Sequence, residues 1–245
     1  MKIIISPAKK MNVNTDFLPV TGLPRFLEDT RVLCDAIKQL SYGEAKALWG
    51  CNDKLAELNF KRFAGMDLER NLTPAVLSYE GLQYQHMSPA VFTEDGIQYA
   101  ESHLRILSGF YGVLSPFDGV VPYRLEMQAK LSVTGKKDLY ELWGDRLYKA
   151  VLDDDRIIIN LASREYSQVV EKYLTPEDRF VTCVFGELQD GKVRQKGTLA
   201  KMARGEMVRF MAENNITEVE KLKAFNCLGY RYREELSSEN SLVFS

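Results

Sequence analysis

Histidine is almost missing from this 245-residue chain, with His86 and His103 its only two, and neither has a partner at metal-ligand spacing. An imidazole-built metal site is thereby excluded, while a carboxylate-bound Mg²⁺ stays open. Cysteine is scarce as well: Cys34, Cys51, Cys183 and Cys227 are scattered, with no CxxC pair, which argues against both a zinc ribbon and a disulfide framework. Reduced, mostly buried thiols are expected, and no cofactor. No run approaches the roughly 20 apolar residues of a membrane span, and the start MKIIISPAKK lacks the apolar stretch and cleavage site of a signal peptide. The expectation is a cytoplasmic protein with no membrane partner. A strong charge imbalance is also missing. With a net charge of -2, nothing pulls the whole chain toward nucleic acid, so such binding needs a local patch.

What is present suits an ordinary globular domain, with 45% apolar and 27% charged residues and no repeat, low-complexity tract or obvious linker. Lys2 to Ile5 is continuous and β-branched, which predicts a short buried strand ending at Pro7. Leu23 to Gly65 carries helical periodicity, and Ser41 with Glu44 forms a capping box. Ala75 to Tyr79 reads as a strand and Glu94 to Leu107 as an amphipathic helix ending at Gly109. Asp138 caps a helix with Leu139, Leu142, Trp143, Leu147, Ala150 and Val151 on its apolar side. Ile157 to Leu161 is a further strand, with Ser163 as the cap of the helix after it. Phe180 to Leu188 and Lys192 to Gln195 flank Asp190-Gly191, a hairpin signal. Leu199 to Asn214 is helical, a short helix follows Thr217, and the end reads as two strands about a polar turn. The mixture predicts an α/β (mixed α+β) chain, with residues 1–245 as one compact domain.

Charge collects at three places. If Tyr123 to Met127 is a strand, its period of two puts Tyr123, Leu125 and Met127 on one face and Arg124 with Glu126 on the other. That pair is either a structural ion pair or the wall of a cleft, and buried charges require partners in both cases. Two other strands run into polar turns, Ser6-Pro7-Ala8-Lys9 and Asn160-Leu161-Ala162-Ser163. Strand ends followed by helix starts form crevices that attract anions, although SPAK lacks the glycines of a P-loop. Lys192 to Arg209 holds six basic residues against Glu206 alone. On a helical wheel Lys201 and Arg204 fall opposite Leu199, Ala203, Met207 and Phe210, so they form either a solvated face or a phosphate-contacting one. Glu206 is expected to pair with an arginine. Residues 94–118 also loosely match a helix-hairpin-helix, in which Gly109 and Gly112 would bring backbone amides to a phosphate.

Together, ISPAK (5–9), SGFYGVLSPFDGVVPYRLEM (108–127), KDLYELWG (137–144), INLASREY (159–166), KMARGEMVRFMAEN (201–214) and FNCLGY (225–230) resemble the YaaA family in order and over nearly the whole chain. The resemblance implies a single-domain mixed α/β fold with a mixed sheet flanked by helices, a positively charged cleft and a helix-hairpin-helix. It also implies a role in peroxide stress and lowered free iron, with DNA binding in at least one member. Recurrent polar positions fall on Ser6, Lys9, Arg124, Glu126, Asn160, Ser163, Glu165, Tyr166, Lys201 and Arg204, none with an established catalytic role. Glu80-Gly81 stands where the family pattern has a lysine-glycine pair.

The leading expectation is a DNA-binding protein of the oxidative stress response, protecting or helping repair DNA, largely without sequence specificity, on duplex or repair intermediates. Its phosphate contacts would come from Lys9, Gly109, Gly112, Lys201 and Arg204. The alternative is an enzyme acting on a nucleotide, nucleic acid or other anionic substrate in the cleft lined by Arg124 and Glu126, with carboxylates and a lysine as acid and base. Direct iron handling gains no support from two histidines and unpaired cysteines.

Overall fold

Lys2–Ile5 carries three consecutive isoleucines with no solvent exposure, and such a run suits a strand covered on both faces. A computed structural model, which describes residues 1–14, 18–189 and 191–245, sets this strand (β1) inside a six-stranded sheet. Helices α1 (Leu27–Lys38), α2 (Tyr42–Trp49), α3 (Asp53–Ala64), α4 (Leu82–Met87) and α5 (Glu94–His103) follow. The chain then forms β2 (Leu104–Ser108), parallel to β1, and turns back as β3 (Gly112–Leu114). After α6 (Leu139–Trp143) and α7 (Arg146–Val151), β4 (Ile157–Leu161) lies along the other side of β1. Helix α8 (Arg164–Glu171), β5 (Arg179–Phe185), α9 (Gly197–Glu213) and β6 (Ser241–Phe244) complete the main elements.

The sheet order is β6-β5-β4-β1-β2-β3, and every neighbouring pair is parallel except β2 with β3. The chain leaves β1 toward one side and later returns to its other side through β4. Strand order therefore reverses between β1 and β4, and in open α/β sheets the carboxyl ends at such a reversal diverge into a crevice. Helices flank the sheet, and the core is one continuous apolar cluster running from Met1 to Phe244. The four cysteines are free thiols, and no described helix is long and apolar enough to cross a membrane.

Local signals explain most boundaries. The Ser41 side chain accepts from the Glu44 amide while Glu44 reaches back, a complete capping box, and the Asp138 carboxylate accepts from the Glu141 amide. The helix expected after Asp138 is broken at Gly144 (φ 52°) into α6 and α7. Helix α9 crosses α4 closely. A Cβ on Gly205 would stand 2.2 Å from the Gln83 carbonyl oxygen, so only glycine permits that approach. Strands Glu187–Gln189 and Lys192–Arg194 pair antiparallel as the hairpin signal predicts, while Asp190 lies outside the described residues.

Three expectations are corrected. Ala75–Ser78 is one helical turn rather than a strand, because Pro74 sets its start and the run is too short for its β-branching to decide. Tyr123 to Met127 keeps the alternation, with Tyr123, Leu125 and Met127 buried, but it is an extended segment outside any ladder. Residues 94–118 are not a helix-hairpin-helix: α5 runs directly into the β2–β3 hairpin of the main sheet, and Phe110 and Tyr111 at its turn are fully buried.

Candidate functional site

Ser6 follows β1 and Ser163 follows β4, so the reversal of strand order brings them together. The Ser6 hydroxyl donates to Ser163 Oγ at 3.2 Å and accepts from the Ser163 amide at 2.8 Å. Ser163 stands at the N-cap of α8, but its side chain does not cap the helix. The positive end of the α8 dipole is thereby left facing the crevice. Beside this stitch opens a cavity of about 370 Å³, walled by the 6–10 turn, residues 80–84, residues 123–126, the start of α8 and one face of α9.

Arg124 and Glu126 form one wall. Their side chains are only 10% and 17% exposed, and they pair at 3.1 Å. The second carboxylate oxygen of Glu126 accepts from Lys9 Nζ at 2.8 Å, and Arg124 Nε donates to the Trp49 carbonyl at 3.4 Å. One carboxylate thus serves two cations. Glu80, in the position of the departure from the family pattern, also lines the cavity and binds Lys10 at 2.5 Å.

The opposite wall comes from α9. The wheel placed Lys201 and Arg204 on a solvated face, and the structure corrects this for Arg204. Ala200, Ala203, Met207 and Met211 form one buried stripe and Gly205, Val208 and Ala212 a second, with Arg204 between them. Arg204 is half-buried and lines the cavity, and its Nε is buried with no hydrogen-bond partner. Burial pulls its guanidinium below the ordinary arginine value, weakly opposed by nearby Cys183. Lys201, one turn earlier and exposed, lines the same cavity. Glu206 points elsewhere and meets His86 at 2.8 Å rather than an arginine.

Glu165 and Tyr166, at the start of α8, close the cavity floor. Burial raises the Glu165 carboxyl, the Gln128 amide bonded to it at 3.3 Å opposes this, and nearby Glu126 adds to the rise. Tyr166 is buried and its phenol is held well above the ordinary range. Behind it, Tyr123 bonds Ser108 at 2.6 Å and Tyr79 at 2.8 Å, and burial pushes its phenol up to about 12.

The structure brings together Ser6, Lys9, Arg124, Glu126, Ser163, Glu165, Tyr166, Lys201 and Arg204 in this one cavity. Asn160 stays out. It is buried, accepts from the Ala162 amide at 2.9 Å and donates to Thr182, which shapes the turn between β4 and α8. Gly109 and Gly112 also stay out and present no amides to a phosphate. A Cβ on Gly109 would lie 2.7 Å from the Leu125 carbonyl, and Gly112 (φ 74°) is enclosed by Phe26, Trp143 and Leu147. Sequence reasoning missed Lys10 and the 80–84 segment, including Gln83 and Tyr84. The Tyr84 hydroxyl donates to the Ser6 carbonyl at 2.9 Å, but no periodic signal marks it.

Fold and site define a class: a single mixed α/β domain with five cations and three carboxylates lining a cleft where the order of its parallel strands reverses. A family model described as "Peroxide stress protein YaaA" matches residues 1–236, and the chain belongs to this family. It is 55% identical to a UPF0246 protein of Lachnoclostridium phytofermentans and 56% identical to one of Agathobacter rectalis, covering all of this chain and 96% and 98% of theirs. A UPF0246 protein of Pediococcus pentosaceus is 52% identical over the whole chain and 97% of its own length.

Proposed function

We propose that this chain acts in the peroxide stress response by binding DNA through the cleft, contacting phosphates rather than reading sequence. The observation that carries this reading is the position of Lys201 and Arg204, which line the cleft one turn apart with no carboxylate partner among the described residues. Cations held without counter-charge are the sites from which phosphate displaces only solvent and counterions. The β2–β3 hairpin plays no part. An effect on free iron is read as indirect, because among the described residues no three His, Cys, Asp or Glu side chains cluster as metal ligands.

A second reading, catalysis on a nucleotide or other anionic substrate, is favoured by Glu165. Burial raises its carboxyl and places a proton-holding group beside Glu126 in the cavity. Duplex binding measured by mobility shift across a salt series tests the first reading. Affinity is expected to fall steeply with salt, and each lost phosphate contact in Lys201→Ala or Arg204→Lys should reduce the log–log slope by about 0.9. Parent-like affinity and slope in the double variant would overturn it. Hydrolysis of a nucleotide that is abolished by Glu165→Gln would establish the second.

A further inference from the structure

The cations of the cleft are not equivalent. Lys10 is held by Glu80, and Lys9 and Arg124 share Glu126. Lys201 and Arg204 have no carboxylate partner among the described residues, and a buried N–H of Arg204 has no acceptor. An unsatisfied buried donor is costly, and an oxygen brought by a ligand relieves that cost. Two adjacent free cations match a ligand group with two negative charges better than one with a single charge.

Size narrows the choice further. At about 370 Å³ the cavity lies at the small end of the roughly 300–1,000 Å³ that small-molecule sites span. A continuous duplex cannot enter it, whereas one nucleotide at a strand end can. Leu82, Tyr84, Tyr123, Leu125 and Tyr166 supply apolar wall for a base and sugar, opposite the cations. A phosphodiester inside a strand carries one charge. A terminal phosphate monoester carries close to two at neutral pH and offers three acceptor oxygens.

We propose that the cleft takes a terminal nucleotide bearing a phosphate monoester, with the monoester seated on Lys201 and Arg204; this deepens, and rests on, the reading of the cleft as a DNA site. The same chemistry belongs to a phosphorylated DNA end and to a free deoxynucleoside monophosphate, and the test separates them. Fluorescence anisotropy of the full chain is measured with blunt hairpin DNA carrying a 5′-phosphate, a 3′-phosphate or only hydroxyl ends. Calorimetry is run in parallel with deoxynucleoside monophosphates and with the unphosphorylated nucleosides.

One phosphorylated end is expected to bind about tenfold or more tightly than the hydroxyl end, the gain typical of hydrogen bonds to charged groups. Lys201→Ala, at an exposed position, should keep the fold and lose that preference. Arg204→Lys, which keeps the charge but removes the planar fork, should weaken it. Monophosphates should compete with the phosphorylated end, and nucleosides should not. Equal binding of all three ends overturns the inference while the DNA reading stands. Monophosphate binding that depends on Lys201, without any DNA binding, overturns the DNA reading while the monoester site stands. A preference that survives both substitutions overturns the placement on α9, and failure of every ligand to bind overturns both.

Discussion

Glu126 is the residue whose removal should unbalance the cleft most. Its carboxylate is bonded on one oxygen to Arg124 and on the other to Lys9, and the two cations differ sharply in exposure, at 10% and 66%. Glu126→Leu strands Arg124 beneath the surface with only its 3.4 Å contact to the Trp49 carbonyl, while Lys9 simply returns to water. Breaking a buried pair in this way costs about 3–5 kcal/mol. For a chain of this size that lowers Tm by about 6–20 °C. Arg124→Met is different, because Glu126 keeps Lys9, so its cost should resemble loss of one charged hydrogen bond, about 1.5–3 kcal/mol. The double variant Arg124→Met with Glu126→Leu leaves no stranded charge and should recover most of the loss. Urea melts of the three variants, with unchanged m-values, measure these differences. Equal costs for the two single variants, or a larger one for Arg124→Met, would refute the reasoning from shared pairing. A stable double variant that no longer binds DNA would assign the pair to function.

Gly205→Ala places a methyl 2.2 Å from the Gln83 carbonyl oxygen, so α9 must shift from α4. A loss of about 1–3 kcal/mol is expected in thermal melts despite alanine's better helix propensity, and a gain would contradict the close crossing. Asp118 is 8% exposed, and burial raises its carboxyl from 3.8 to about 6. A raised folded-state value means a contribution fully present below about pH 4 and lost as pH rises through about 6. The stability of the parent relative to Asp118→Asn should therefore fall by about 3 kcal/mol across that window, and parallel pH profiles would refute it.

Much of the fold was legible because its central strands announce themselves. Lys2–Ile5 and Ile157–Leu161 are unbroken apolar runs that only a doubly covered strand satisfies, and Ser41 and Asp138 mark helix starts by their own hydrogen bonding. The grouping of Ser6, Arg124, Glu126 and Ser163 was legible for a related reason. Each interrupts or follows an apolar run, where polarity must be aimed at something. Gly109 misled because a glycine demanded by close packing on the Leu125 carbonyl looks, in sequence, like one demanded by a ligand. Arg204 misled because a wheel ranks faces by apolar residues, whereas α9 is packed along a wide arc that small residues, Ala200, Gly205 and Ala212, make possible. The 80–84 wall depends on long-range contact with the 6–10 turn and leaves no local pattern.

The central place of β1 also shapes the birth of the molecule. Its partners on either side, Leu104–Ile106 and Ile158–Leu161, lie about 100 and 155 positions further along the chain. The first strand synthesised therefore has neither neighbour until most of the polypeptide has emerged, and the outermost strand, Ser241–Phe244, arrives last of all. Closing loops of this length precedes any reward from pairing, which makes for slow folding. During that interval an Ile-Ile-Ile segment waits uncovered, the kind of stretch that associates with other chains. Lys2 on one side and the SPAK turn on the other are the charge and the proline that stand guard over it until the sheet assembles.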